Sequence, residues 1–364
     1  MSLPKSVRSS LTMAGRALAL LVVVFSVVTY AISLAVGPIL FFSTSDGLTA
    51  AAQRIDVFLF DVFMIVVIPI PTNLSLGALF IGIWGIFVAC FLVASVDKDN
   101  FITSVKGALA KSTTLAKTNF LFVMPLVASG LIYATILISQ FQEAQGVQTG
   151  SINFQTTNPY VILTELSFAP IQEEFAFRIT SIGLPLALLL LILYRGDPRI
   201  SGAKGKLKLI LLGMASPERA KSSLGYHSMA SQGFPRGISA VEWVFILLTS
   251  SMFGLAHFLS GAGWDVGKVS TAFLAGFVFA IMFVAYGAYA SILLHWFFNY
   301  YFTVLDQAAT VYGGVFNGLA NAAELTTIVA GAIVLLAFLL YTAYRIGSYL
   351  ASRVIGHPAN SATV

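Results

Sequence analysis

Three short blocks of polar residues interrupt apolar stretches of this 364-residue chain. They are Glu173-Glu174-Phe175-Ala176-Phe177-Arg178, Phe253-Gly254-Leu255-Ala256-His257 and His295-Trp296-Phe297-Phe298-Asn299. On a helix, Glu174 and Arg178 are four apart with the acid first, the favourable order for a pair. Glu173 points about 100° away from them, so one carboxylate can be neutralised while the other stays free. His295 and Asn299, also four apart, project from one face. A carboxylate beside an imidazole can hold and deprotonate a water. A second imidazole and an amide on one face can donate hydrogen bonds to the oxyanion of a tetrahedral intermediate. The chemistry this set fits is amide hydrolysis.

Each member also has a plainer role. Glu174 and Arg178 can be an ion pair that only fixes its helix, and a lone histidine or asparagine in a membrane helix commonly bonds a neighbouring helix. The joint occurrence of a free carboxylate, two histidines and an amide is what points to a site. An isolated charge at mid-bilayer costs about 2.5–3.5 kcal/mol on insertion scales, and something must offset it. A proton- or ion-coupled transporter is a competing use of Glu173, His257 and His295 as a relay. Such transporters show related halves, and the sequence has no visible repeat. The other two histidines, His227 and His357, fall in a polar loop and the tail and carry no role.

The elements that must position these residues follow from composition. The chain is 58% hydrophobic and 10% charged, with a mean hydropathy of +0.89, whereas soluble domains carry about 25% charge. The expected fold is all-α, a polytopic membrane protein of about eight transmembrane helices around a polar intramembrane cavity. Runs of about 20 apolar residues cross the hydrocarbon, and the candidate spans are 17–41, 75–96, 120–141, 160–178 continuing toward 194, 242–261, 268–287, 288–305 and 324–345. Pro170, Gly183 and Pro185 interrupt the fourth run, which is too long for one straight crossing. The run 57–72 is short and ends in two prolines, which predicts an interfacial or re-entrant helix rather than a span. Residues 97–119 read as a surface helix. The segment 195–240 reads as a flexible basic linker whose apolar patch 207–212 can lie on headgroups.

Lys5, Arg8 and Arg16 before the first run would suit a cleaved signal peptide, but the run outlasts the usual 7–15-residue core; a retained span is expected. The single Cys90 lies within a span, which excludes an intramolecular disulfide and a cysteine-based metal cluster and leaves packing as its role. The pI near 9.2 needs no nucleic-acid partner to explain it, because the basic residues are distributed by loop. The basic residues collect before span one, at 98–117, at 195–240 and after the last span, while the intervening loops hold only Arg54 and Lys268. With eight spans these basic loops fall on one side, and the positive-inside rule makes that side, with both termini, cytoplasmic. The lipid bilayer is thus the one partner that composition implies.

Taken in order, Glu-Glu-x-x-x-Arg, Phe-x-x-x-His and His-x-x-x-Asn resemble the CAAX-protease and bacteriocin-processing family of intramembrane endopeptidases. That family includes the Ras-converting CAAX prenyl protease. The resemblance covers 160–305, a catalytic core holding the basic loop 195–240, flanked by N-terminal helices over 1–159 and a C-terminal helix and tail over 306–364. It implies Glu173 as general base, His257 sharing the catalytic water, and His295 with Asn299 as the oxyanion hole. Glu174, Arg178 and Phe253 would support them. The implied substrate is a membrane-associated protein or peptide, prenylated or not. The family is often labelled metallopeptidase, yet no His-Glu-x-x-His motif is present. A zinc set of Glu173, His257 and His295 is one alternative, and the resemblance favours a glutamate-activated water with no cofactor. A catalytically silent member acting as a scaffold is another.

Overall fold

In the computed structural model, residues 5–98, 100–108, 118–154 and 157–355 are described. Lys111, Lys117 and His357 lie outside them. Helix α1 (Lys5–Ser43) and the short α2 (Ser45–Ala52) lead into a hairpin of β1 (Arg54–Val62) and β2 (Val66–Ser75). Then follow α3 (Leu76–Val96), α4 (Phe101–Ala108), α5 (Phe120–Ala144) and α6 (Pro159–Glu174). α6 passes through a π-helical segment (Phe175–Gly183) into α7 (Leu184–Leu193). Three short helices, α8 (Gly202–Ala215), α9 (Pro217–Leu224) and α10 (Met229–Gln232), precede α11 (Ala240–Leu259), α12 (Lys268–Tyr286), α13 (Ala288–Tyr312) and α14 (Gly314–Ile355).

The protein is an all-α polytopic membrane protein, and a long helix stands at each of the eight expected spans. Seven of these runs are long and apolar enough to cross a bilayer among the described residues. The exception is α13, which has the length but is too polar. Its segment 290–297 is buried throughout, so its polar groups face other helices rather than lipid, and apolarity is not required of it. Starts are set by caps: Ser75 for α3, Asn119 for α5, Asn158 followed by Pro159 for α6, and a reciprocal Ser239–Glu242 capping box for α11. Cys90 is free, half-buried and packed against the core.

The helix ends sort the loops as the charge pattern does. Asp97 at the end of α3 accepts hydrogen bonds from Arg219 of α9 and Tyr289 of α13, so the basic segments near 98 and 219 meet. Lys98 Nζ lies 3.8 Å over the Tyr286 ring, where burial pushes its ammonium down to about 8 against the pull of Asp97 and Glu218. At the opposite end, the 148–153 and 262–267 loops bond one another through backbone groups, and Asn158 Nδ2 donates to the Asp46 carbonyl.

Two expectations fail. The run 57–72 is not a helix but a β-hairpin pairing Val62↔Val66 through Ile55↔Leu74. Its β-branched residues favour strand, and Pro69 and Pro71 are tolerable on an open edge. The segment 195–240 is not a flexible linker but carries α8 to α10. Lys221, fully buried, sits 2.8 Å from Glu242 and 3.7 Å from Glu218 and donates to the Gly237 carbonyl, while Glu218 receives the Met229 and Ala230 amides. Within its apolar patch Leu209 is buried while Leu207 and Leu211 are exposed. The surface-helix expectation for 97–119 holds for α4, which buries no residue.

Candidate active site

The helix that brings the two glutamates inward is not α-helical throughout. Pro185 has no N–H to continue an α ladder, and its ring would crowd the carbonyl four residues back. The chain widens before it: Leu184 N–H reaches the Ile179 carbonyl, five back, and Ser181 and Thr180 hydroxyls fill the gap by donating to the Ala176 carbonyl. Such π segments often accompany functional sites. Here it keeps one continuous run from Pro159 to Leu193, so that Glu173, Glu174 and Arg178 sit in its middle third.

Glu174 and Arg178 are both fully buried, with Oε1 and Nη1 3.4 Å apart. Arg178 Nη2 donates to the Gly276 carbonyl of α12 at 3.0 Å, and its guanidinium lies 4.5 Å from the Phe253 ring centre. Gly276 is what allows this approach. A Cβ there would stand 2.9 Å from Phe253 Cδ1 and 3.2 Å from Arg178 Nη2. Phe253 is the hub of the cluster, edge-on to Phe177, His257 and His295 at 5.2, 4.7 and 5.8 Å.

His295 stands between the two carboxylates. Its Nδ1 is 2.9 Å from Glu174 Oε1 and its Nε2 3.6 Å from Glu173 Oε2, and Phe279 stacks on its ring at 4.6 Å. His257 Nδ1 lies 2.8 Å from the Phe253 carbonyl. A carbonyl can only accept, so that nitrogen carries hydrogen and Nε2 keeps its lone pair in the neutral ring. Glu173 Oε2 is buried and has no hydrogen-bond partner among the described residues. Such an acceptor is costly unless something donates to it.

Glu173, His257, His295 and Asn299 all line one cavity of about 630 Å³, together with Lys268 and Trp264. An adjoining cavity of about 420 Å³ shares the last three of the four and runs to Gln140 and Glu143 of α5. The structure therefore brings together every residue that the sequence singled out, although His295 faces both glutamates rather than standing apart as a donor. Among the described residues no group of three or more His, Cys, Asp or Glu is arranged to hold a metal ion. Sequence reading missed Phe279, Gly276, Trp264 and Lys268, whose ammonium lies 3.9 Å over the Trp264 ring. Single residues on α12 and its preceding loop carry no spacing signal that would have marked them.

Comparison with curated proteins and with solved structures gives no match. A family model, Rce1-like, described as type II CAAX prenyl endopeptidase Rce1-like, matches residues 155–301, less than half of the chain. That stretch contains all seven residues of the cluster, and it is similar to the type II CAAX prenyl endopeptidases that the family model describes.

Proposed function

We propose that this protein hydrolyses a peptide bond of a membrane-associated protein or peptide, with Glu173 as general base. The observation that carries the reading is the orphaned Glu173 Oε2, a buried acceptor at the wall of a cavity that His257, His295 and Asn299 also line, beside Asp61, Glu165, Ser260, Lys268 and Thr303. A water donating to Glu173 and to the free Nε2 of His257 would satisfy that oxygen and be poised to lose a proton. Attack on a carbonyl then places negative charge on oxygen, to which His295 Nε2 and the Asn299 amide, one turn apart on α13, would donate. Glu173 returns the proton to the leaving amine.

Charge balance supports the donor role of His295. Its Nδ1 serves Glu174, so an Nε2–H exists only in the doubly protonated ring. Glu173, Glu174, Arg178 and that imidazolium sum to zero, which lowers the cost of holding the cluster away from water. In this reading Glu174 and Arg178 position His295 and do not touch substrate. The hydrolysis needs no metal. A transporter would use the same groups, but a carboxylate that shares one cavity with His257, His295 and Asn299 matches acyl transfer more closely than a relay. By the positive-inside rule the basic end, with both termini, is cytoplasmic.

The test is direct. Purified protein in detergent is incubated with quenched peptides, with and without a prenyl-cysteine, and products are identified by mass. Cleavage at a defined bond, in either peptide class, is expected, and inertness toward the whole panel would contradict the proposal.

A further inference from the structure

The β1–β2 hairpin plays no part in the chemistry above, yet it lies against the helix that carries Glu173. Phe58 packs on Phe168 at 4.6 Å, Phe60 on Phe175 at 4.8 Å, and the Phe63 amide donates to Thr180 Oγ1 at 3.0 Å. The contacts advance from 168 to 180, about 18 Å at 1.5 Å per residue. The hairpin thus descends beside a spanning helix instead of lying flat across its end. Its tip reaches the site: Asp61 and Met64 line the cavity of Glu173, and Met64 packs on the Phe177–Phe253 cluster.

Apart from polar residues toward its base, Arg54, Asp56, Thr72 and Asn73 among them, the rest of the hairpin is apolar, and much of it is uncovered. Val57, Leu59, Ile65, Val67, Ile68 and Ile70 are exposed, and β2 has no charged residue. In water that edge would invite pairing with another chain. In hydrocarbon its unpaired N–H groups would be costly. Pro69 and Pro71, two apart, share one edge of β2, and the ladder to β1, unbroken from Val57↔Pro71 to Val62↔Val66, makes that the open one. Both therefore remove outward N–H donors. The tip is strained, too: Phe63 and Met64 hold φ of 49° and 67°, a region bulky residues seldom adopt, where glycine or asparagine would relax the turn. Strain kept at a position that touches a site points to function.

We propose that the hairpin is immersed in the acyl chains beside α6 and that its tip is a lateral door through which a bilayer-borne peptide reaches the Glu173 cavity. The door rests on the peptidase reading for its cargo; the immersion does not. Asp61 and Met64 close the wall at rest, and relief of the backbone strain at Phe63 and Met64 favours opening.

Two arms test this in phosphatidylcholine vesicles with Cys90 replaced by alanine. In the first, a nitroxide on Ile68→Cys, or on Leu59→Cys should either variant fold poorly, should be relaxed by oxygen more than by a water-soluble nickel chelate. The reverse order would overturn the immersion and with it the door. In the second, Phe63→Cys with Thr180→Cys is oxidised to pin the tip. Capture of a vesicle-anchored fluorescent peptide, and its cleavage, should slow by at least about tenfold and recover on reduction, as for a gated site. Equal capture by the oxidised and reduced proteins, or none by either, would overturn the door. Capture without cleavage would leave the door standing and count against the peptidase reading alone.

Discussion

His295 Nδ1 lies 2.9 Å from Glu174 Oε1, across 121 residues of sequence and between two helices. The contact joins the ion pair of the fourth span to the face of α13 that also carries Asn299, and it aims the other ring nitrogen at Glu173. Replacing Glu174 with glutamine keeps the shape but weakens the hold on the ring. The expected result is a fall in kcat with KM little changed, since the substrate does not touch Glu174. A raised KM at unchanged kcat would place Glu174 in substrate binding instead.

Arg178→Ala is expected to act on stability. It leaves Glu174 buried without its cation, at a cost of about 3–5 kcal/mol. The measurement is thermal unfolding in detergent, with expression yield alongside. An unchanged melting temperature would mean that the pair is solvated.

Gly276→Val should damage the same cluster from the α12 side. Even the first added carbon would stand 2.9 Å from the Phe253 ring, and overpacking of this kind costs about 1–3 kcal/mol. Loss of both stability and turnover is expected. A variant with normal turnover would show that Phe253 and Arg178 can shift without disturbing the chemistry.

How much of this was legible in the sequence depended on the distance over which each signal acts. Spans were legible because a run such as Leu76–Val96 is apolar on every face. The three polar blocks were legible because Glu174 and Arg178, or His295 and Asn299, lie one turn apart on the same helix. The hairpin was not, because Val66-Val67-Ile68-Pro69-Ile70-Pro71 reads as a broken helix unless its pairing with β1 is known. Nor was the order of 195–240. Lys221 and Glu218 look like ordinary surface charges until Glu242, 21 residues on, closes over the lysine. Phe279 and Gly276 gain their roles only when α12 is laid against Arg178 and His295.

Asn299→Ala should lower kcat by about 10²–10³-fold while KM changes little, because an oxyanion donor acts mainly in the transition state. Steady-state kinetics on the best peptide of the panel would show it. A normal kcat with raised KM would make Asn299 a substrate contact.

Treatment with a membrane-permeant chelator should leave turnover unchanged, since both ring nitrogens of His295 face carboxylates and Glu173 acts as base only if it is not spent as a ligand. Loss of activity that stoichiometric zinc restores, with zinc binding abolished in His257→Ala and His295→Ala, would overturn the metal-free reading.

The central claim is that Glu173 removes the proton from the attacking water. Glu173→Gln keeps the side chain's size and removes that capacity, so the measurement is single-turnover cleavage by the purified variant, with its melting curve as the check on folding. The account predicts a rate at least about 10²-fold below that of the unaltered protein at a normal melting temperature. Cleavage by Glu173→Gln at the unaltered rate would contradict it.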